Sequence, residues 1–99
     1  MTINEIEKAV IASGSHWFDV DTMAFFGTRV RPVVYEGIGG IFFVTSEKPP
    51  ESPRRYSVRQ YFADTNKIST VGDFCVMNET QAVSLAKRLS VSSPKCETT

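Results

Sequence analysis

The sequence has few of the residues that carry metal or redox chemistry. Two cysteines and one histidine occur among its 99 residues. Cys75 lies in a stretch with strand composition and Cys96 lies in a polar C-terminal tail, so we do not expect a disulfide between them. A structural zinc site needs four suitably spaced ligands, which two separated cysteines and one histidine do not supply. The sequence therefore predicts two free thiols in a reducing compartment, and no zinc.

Net charge and long apolar runs are also lacking. Eleven lysines and arginines balance eleven aspartates and glutamates, so the formal net charge is zero. This argues against a polyanion mimic and a strongly basic nucleic-acid binder, because both need a charge excess, although it leaves room for a local patch. No apolar run approaches the ~18 residues of a membrane span, and the N-terminus lacks the basic-then-apolar order of a signal peptide. We expect a soluble cytoplasmic protein that does not bind membranes.

Catalytic groups are scarce and badly placed. His16 follows Ser15 and precedes Asp19 and Asp21. A catalytic triad needs members that converge from separate elements, whereas these four lie in one short segment where adjacent side chains diverge. The two aspartates lack the further oxygen ligands that a hard cation needs, and they are better read as helix caps. Residues 37–40 are glycine-rich but lack the Lys-Ser/Thr ending of a phosphate loop. We expect no enzyme, no cofactor and no metal.

Helical patterns flank the chain. Thr2 and Glu5 form a capping box, which is followed by apolar residues at helical spacing until residues 13–14 end the helix. Asn78 and Gln81 form a second capping box near the C-terminus. The predicted buried positions are Ile3, Ile6 and Val10 in the first helix, and Ala82, Leu85, Ala86 and Leu89 in the second.

The region between the helices has strand composition. Residues 28–35 contain Pro32, which cannot donate to a ladder and so confines this strand to an edge or splits it. A turn at residues 36–40 leads into a returning strand at residues 41–46. Its residues 41–44 are apolar on both faces and therefore predict a central strand. One side of that strand should be covered by a helix. The other should be covered by a partner or by residues 15–27, an aromatic-rich stretch that we call the aromatic segment.

Residues 54–77 predict a second β-hairpin. Two strands, at residues 54–62 and 68–77, flank a turn at residues 63–67, and Gly72 is read as a bulge. Side chains alternate between the faces of a strand, so one face should be core and the other should meet solvent or a partner. The predicted core face holds Tyr56, Val58 and Phe62, and the predicted outward face holds Arg55, Ser57, Arg59 and Tyr61.

These elements predict a single α+β domain at residues 1–90. Its antiparallel sheet has about four strands in two hairpins, with an N-terminal and a C-terminal helix packed on it. Residues 91–99 contain few apolar side chains and therefore predict a flexible C-terminal tail.

A group of arginines with one tyrosine is the best candidate for a binding site. Arginine and tyrosine are enriched at protein–protein hot spots, and they also pair phosphates and stack bases in single-strand binders. A third interpretation is that the arginines pair across strands with acidic residues on a solvated face. The proposed partner-binding residues are Arg29 and Arg31 on the first strand and Arg55, Arg59 and Tyr61 on the third, provided that their faces align.

Large aromatic side chains are numerous for so small a core. A chain of this length cannot bury all of them under two short helices, so some should line an exposed apolar patch. Such patches usually mark an interface, and self-association into a homodimer is one form of it. The residues concerned are Trp17, Phe18, Phe25, Phe26, Phe42, Phe43, Phe62 and Phe74.

A succession of short segments carries a family resemblance. The segments are Trp17-Phe18, Asp21-Thr22-Met23, Phe25-Phe26-Gly27-Thr28-Arg29-Val30, Phe43-Val44-Thr45-Ser46-Glu47, Arg54-Arg55-Tyr56-Ser57-Val58-Arg59 and Ile68-Ser69-Thr70-Val71-Gly72-Asp73-Phe74. Their order and spacing, over roughly residues 17–89, resemble a group of small proteins encoded by bacterial phages, prophages and plasmids. The group has no assigned activity, so the resemblance transfers no site residues and implies only a setting in a bacterial host cell.

The leading hypothesis is a non-enzymatic accessory protein of a mobile element. It would bind a bacterial host protein or defence complex and modulate it, as an anti-CRISPR or anti-restriction inhibitor does. The alternative is a small, sequence-tolerant nucleic-acid binder that uses the same arginine and tyrosine face.

Overall fold

A computed structural model describes residues 1–14, 17–18, 23, 27–48, 50–72 and 77–91. It contains two helices and one four-stranded antiparallel sheet, which confirms the predicted α+β class. The helices and strands are α1 (Ile3–Ala12), β1 (Arg29–Gly37), β2 (Gly40–Glu47), β3 (Arg55–Phe62), β4 (Lys67–Val71) and α2 (Glu79–Val91).

Helix α1 begins at the predicted capping box. The Glu5 amide donates to Thr2 Oγ1 over 3.2 Å, and the Thr2 amide donates to Glu5 Oε1 over 2.8 Å. These bonds satisfy amides that have no partner within the first helical turn. Ile6 and Val10 are fully buried, and the helix ends at Ser13 and Gly14 as predicted.

The capping box predicts a pH-dependent contribution of Glu5 to stability. The pKa of Glu5 is lowered, chiefly because its carboxylate accepts the Thr2 backbone hydrogen bond. A carboxyl whose pKa is lower in the folded chain stabilises that state above its unfolded pKa, and the stabilisation is lost as the pH falls through the folded pKa. The thermal midpoints of wild type and Glu5→Gln should therefore differ at pH 7 and converge as the pH falls from about 4.3, the unfolded value, through the lower folded pKa. A difference that stays constant with pH would contradict this assignment.

The sheet has the order β1-β2-β3-β4, and every neighbouring pair is antiparallel. Strand β1 lies at one edge, and its pairing with β2 shifts register between Val30 and Val34, where Pro32 lies. The predicted edge position and interruption of this strand are confirmed, because Pro32 has no amide hydrogen for a regular ladder.

Strand β2 is central and is buried on both faces, as predicted. Phe43 packs with Ile6, Val10 and Phe18, whereas the opposite face of the strand packs against α2. The Trp17 ring meets the Phe43 ring edge-on, with 5.8 Å between their centroids. The aromatic segment therefore covers one face of the sheet through Trp17 and Phe18; Phe25 and Phe26 lie outside the described residues.

The β3–β4 hairpin is confirmed, but β4 is shorter than predicted. It ends at Val71, and Gly72 follows with a φ angle of 70°. Met77 also pairs with β3, because it exchanges backbone hydrogen bonds with Tyr56. Residues 73–76, which include Phe74 and Cys75, lie outside the described residues, so the bulge expected at Gly72 stays a prediction.

Helix α2 begins at the second predicted capping box. The Gln81 amide donates to Asn78 Oδ1 over 2.8 Å, and the Asn78 amide donates to Gln81 Oε1 over 3.1 Å. Ala82 and Ala86 are fully buried against the sheet. Within the described residues, neither helix is long and apolar enough to cross a membrane. The predicted flexible tail falls almost entirely on residues 92–99, outside the described part of the chain.

Candidate binding surface

Most of the outward face predicted for β3 is buried, and the sequence interpretation of Ser57, Arg59 and Tyr61 as outward-facing is therefore wrong; Arg55 is exposed as predicted. Ser57 is inaccessible, and only 8% of Arg59 and 3% of Tyr61 are exposed. Tyr61 packs in the same cluster as Ile6 and Phe18, while the Arg59 guanidinium lies over the Trp17 ring at 5.3 Å from its centroid. The alternation along the strand is as predicted, but α1 and the aromatic segment cover the face that was expected to be free.

Arg59 is the centre of a buried polar network. Its Nε donates to Thr45 Oγ1 over 2.9 Å, its Nη1 donates to Thr70 Oγ1, and its Nη2 lies 3.6 Å from Glu47 Oε2. The guanidinium therefore connects β2, β3 and β4. A buried charge is tolerated when it is paired and hydrogen-bonded, and these contacts provide both.

Tyr61 holds the turn of its own hairpin. Its hydroxyl is 2.5 Å from Asn66 Oδ1, to which it donates a hydrogen bond. Asn66 has a φ angle of 54°, a conformation that asparagine tolerates better than most residues. The ring that was expected to stack on a ligand is thus used inside the protein.

The arginines of β1 and β3 lie on opposite faces of the sheet. Directly paired residues share a face. Arg55 pairs with Glu47 and Arg29 pairs with Ser46, and these two consecutive residues of β2 point in opposite directions. Arg31 is also on the α2 side, where it forms an ion pair with Glu79. The predicted surface of four aligned guanidiniums is therefore not formed.

A different basic surface is formed at one end of the sheet. Because the strands are antiparallel, the start of β1, the end of β2 and the start of β3 meet at the same end. Arg29, Lys48 and Arg55 are exposed there, and Arg54 is half-buried. We call the four residues Arg29, Lys48, Arg54 and Arg55 the basic end.

Arg54 fixes the backbone of the basic end. Its Nη1 donates to the Gly27 carbonyl oxygen over 2.9 Å and to Ser46 Oγ over 2.8 Å. These bonds join the segment before β1 to β2 and to the start of β3. The same arrangement brings the backbone of Lys48 close to Gly27, since a Cβ atom at Gly27 would lie 3.8 Å from Lys48 N.

The exposed cations of the basic end have no acidic partner in the described part of the chain. Arg31 and Arg59 form ion pairs with Glu79 and Glu47, whereas Arg29, Lys48 and Arg55 form none with any described residue. Cations that are not neutralised by a neighbour create a local positive potential even when the net charge is zero. The basic end is therefore suited to an anionic surface.

Sequence reasoning found half of this surface. Arg29 and Arg55 were among the predicted site residues, whereas Lys48 and Arg54 were not. The signal that was missed is the Arg54-Arg55 pair at the start of β3. It lies opposite the end of β2, which Lys48 directly follows. The strand ends, and not the strand faces, bring these cations together.

The described residues offer no metal site. Residues 1–14, 17–18, 23, 27–48, 50–72 and 77–91 contain no cluster of three or more His, Cys, Asp or Glu side chains placed to hold a metal ion. His16, Asp19 and Asp21 lie outside these ranges, so the structure does not describe the residues considered for a triad or a cation.

The fold and the surface define a small α+β protein with a four-stranded antiparallel sheet between two helices and a positively charged sheet end. The chain belongs to DUF7447, a family of unknown function whose model matches residues 2–87. No curated protein and no solved structure matches the chain.

Proposed function

We propose that this protein is a non-enzymatic binding module that docks on an acidic surface of a partner protein through its basic end. The observation that supports the proposal is the exposure of Arg29, Lys48 and Arg55, none of which forms an ion pair with a described residue; Glu47, which lies opposite Arg55, is ion-paired with Arg59. Complementary charge gives such a surface partner specificity and a faster association rate.

A protein partner is favoured over single-stranded nucleic acid by the position of the tyrosine. Sequence-tolerant binders combine cations with aromatic rings on which bases stack. Tyr61, the ring expected for that role, is 3% exposed and bonded to Asn66. The basic end as described presents cations without that ring, which suits carboxylates better than bases. Binding to nucleic acid is retained as the alternative outcome of the test below.

The resemblance to proteins of phages, prophages and plasmids supplies the setting of the proposal. It implies that the partner is a host protein or defence complex in a bacterial cytoplasm. Occupation of an acidic surface there would block a site by steric occlusion, as an anti-CRISPR or anti-restriction inhibitor would. The partner's acidic surfaces that ordinarily bind a positively charged ligand are the surfaces we expect this protein to block.

Charge reversal tests the proposal against a matched control. The test variant is Arg29→Glu with Lys48→Glu, and the control is Lys8→Glu with Lys87→Glu. Both change the net charge equally, and all four residues are exposed. Lys8 lies on α1 and Lys87 lies on α2, so the control leaves both the basic end and β4 unchanged. Each tagged protein is incubated with bacterial lysate, with and without nuclease, and bound proteins are identified.

The expected result is a specific protein that survives nuclease treatment, is retained by wild type and the control, and is lost from the test variant. Its affinity, measured with purified partner, should fall at least tenfold on charge reversal, because two attractive contacts become repulsive. Equal retention by both variants would contradict the role of the basic end. Material that disappears with nuclease, and whose binding weakens steeply with salt, would establish the nucleic-acid alternative.

A further inference from the structure

The two edges of the sheet are built differently. Strand β1 contains Pro32 and an irregular register between Val30 and Val34. Proline and bulges at an edge prevent another strand from pairing, and they are common protections against sheet extension. The β1 edge is therefore closed to a regular partner strand.

Strand β4 carries no such protection. Its pairing with β3 is regular from Lys67 to Val71, and it contains no proline. Among the described residues, none pairs with its outer side. Helix α2 packs on β1, β2 and β3, and the neighbouring Phe62 is 38% exposed. This edge has the features of a strand that accepts a partner.

We propose that β4 pairs with β4 of a second copy of this chain, in antiparallel orientation about a two-fold axis at Ser69. The result would be an eight-stranded sheet across a symmetric dimer. In the part of the chain that the structure describes, only one edge of the sheet is open. The assembly therefore closes after two copies, whereas two open edges would extend into a fibre.

The chemistry of the edge fits a second copy. In this register Lys67 faces Val71 of the second copy, Ile68 faces Thr70 of the second copy, and the two Ser69 residues face each other. No pair brings like charges together, a juxtaposition that would be destabilising. The zero net charge of the chain also removes long-range repulsion between copies. A five-residue strand gives a small interface, so we expect a weak dimer that forms with rising concentration.

This dimer is independent of the proposed function. Strand β4 and the basic end share no residue, so loss of either property leaves the other testable. In the dimer the two basic ends would project in opposite directions, because the two-fold axis reverses the strand direction.

Opposite charges at Ser69 provide the test. Ser69 is exposed, and on the two-fold axis it meets its own copy. Ser69→Lys and Ser69→Glu should each weaken self-association by roughly tenfold or more, because each places like charges directly opposite one another. An equimolar mixture of the two variants should form a heterodimer. Ser84→Lys and Ser84→Glu, at an exposed position of α2, are the matched controls and should dimerise as wild type does.

Sedimentation equilibrium over a concentration series measures each mass, and circular dichroism verifies that every variant is folded. A wild type that stays monomeric at the highest concentration would overturn the proposal. A folded Ser69→Lys variant that dimerises like wild type would overturn it too, since the interface would then lie elsewhere. Heterodimer formation by the mixed variants cannot arise from partial unfolding, so this result separates the proposed interface from a structural defect.

Discussion

Replacing Arg59 by alanine is expected to lower the free energy of unfolding by roughly 3–5 kcal/mol. The Arg59 guanidinium lies 3.6 Å from the Glu47 carboxylate, and the side chains of the two residues are only 10% and 4% exposed. Alanine removes the cation beside a buried carboxylate, and it also removes the donors to Thr45 and Thr70. Since small domains are stable by about 5–15 kcal/mol, such a loss would leave the chain close to unfolding.

Arg55→Ala is the matched control for this prediction. It removes the same side chain from the same strand, but at an exposed position, so its effect should stay within about 0.5 kcal/mol. Urea denaturation followed by circular dichroism gives both values. The double variant Glu47→Gln with Arg59→Met should regain much of the loss, because it removes both charges and keeps most of the volume. Equal stability of Arg59→Ala and Arg55→Ala would show that the buried network contributes little.

The Arg59 prediction changes how a functional experiment must be designed. With both arginines on an outward face, joint replacement of Arg55 and Arg59 by alanine would abolish binding at little cost in stability. In the structure Arg59 is buried. The Arg55/Arg59 double variant is therefore expected to lose its fold, and it would report nothing specific about a partner. Arg29 and Lys48 avoid this difficulty, because both are exposed and neither forms an ion pair with a described residue.

Local sequence signals predicted much of the fold. Thr2 with Glu5 and Asn78 with Gln81 are capping boxes whose members are three residues apart, so no tertiary contact is needed to recognise them. Pro32 marked an edge strand because the loss of its amide hydrogen has the same consequence in any sheet. Each of these signals acts within a few residues.

The candidate site was harder to predict because it depends on distant pairing. Alternation shows which residues of one strand share a face, but it does not show whether a second layer covers that face. Here Trp17 and α1 cover the face that holds Arg59. The relative orientation of Arg29 and Arg55 depends on their partners, Ser46 and Glu47, and a shift of one residue in either register would have reversed it.

Gly37→Ala is expected to destabilise the protein by about 1–3 kcal/mol, the range typical of overpacking. A Cβ atom at Gly37 would lie 2.3 Å from the Ser90 carbonyl oxygen and 3.1 Å from its carbon. The obstacle is backbone near the end of α2, which cannot rotate away as a side chain can. The same oxygen accepts a hydrogen bond from the Gly39 amide over 2.9 Å, so the β1–β2 turn is held directly on the helix.

The sequence predicted a turn at Gly37, and the structure adds a different reason for glycine there. Ile38→Ala is the control, since Ile38 lies in the same turn and is 73% exposed, so its replacement should change stability little. Hydrogen exchange of the Gly39 amide distinguishes the cause, because separation of the turn from α2 exposes this amide to solvent. We expect faster exchange in Gly37→Ala and wild-type exchange in Ile38→Ala. If Gly37→Ala kept both its stability and the protection of Gly39, contact with Ser90 could not be what requires glycine at this position.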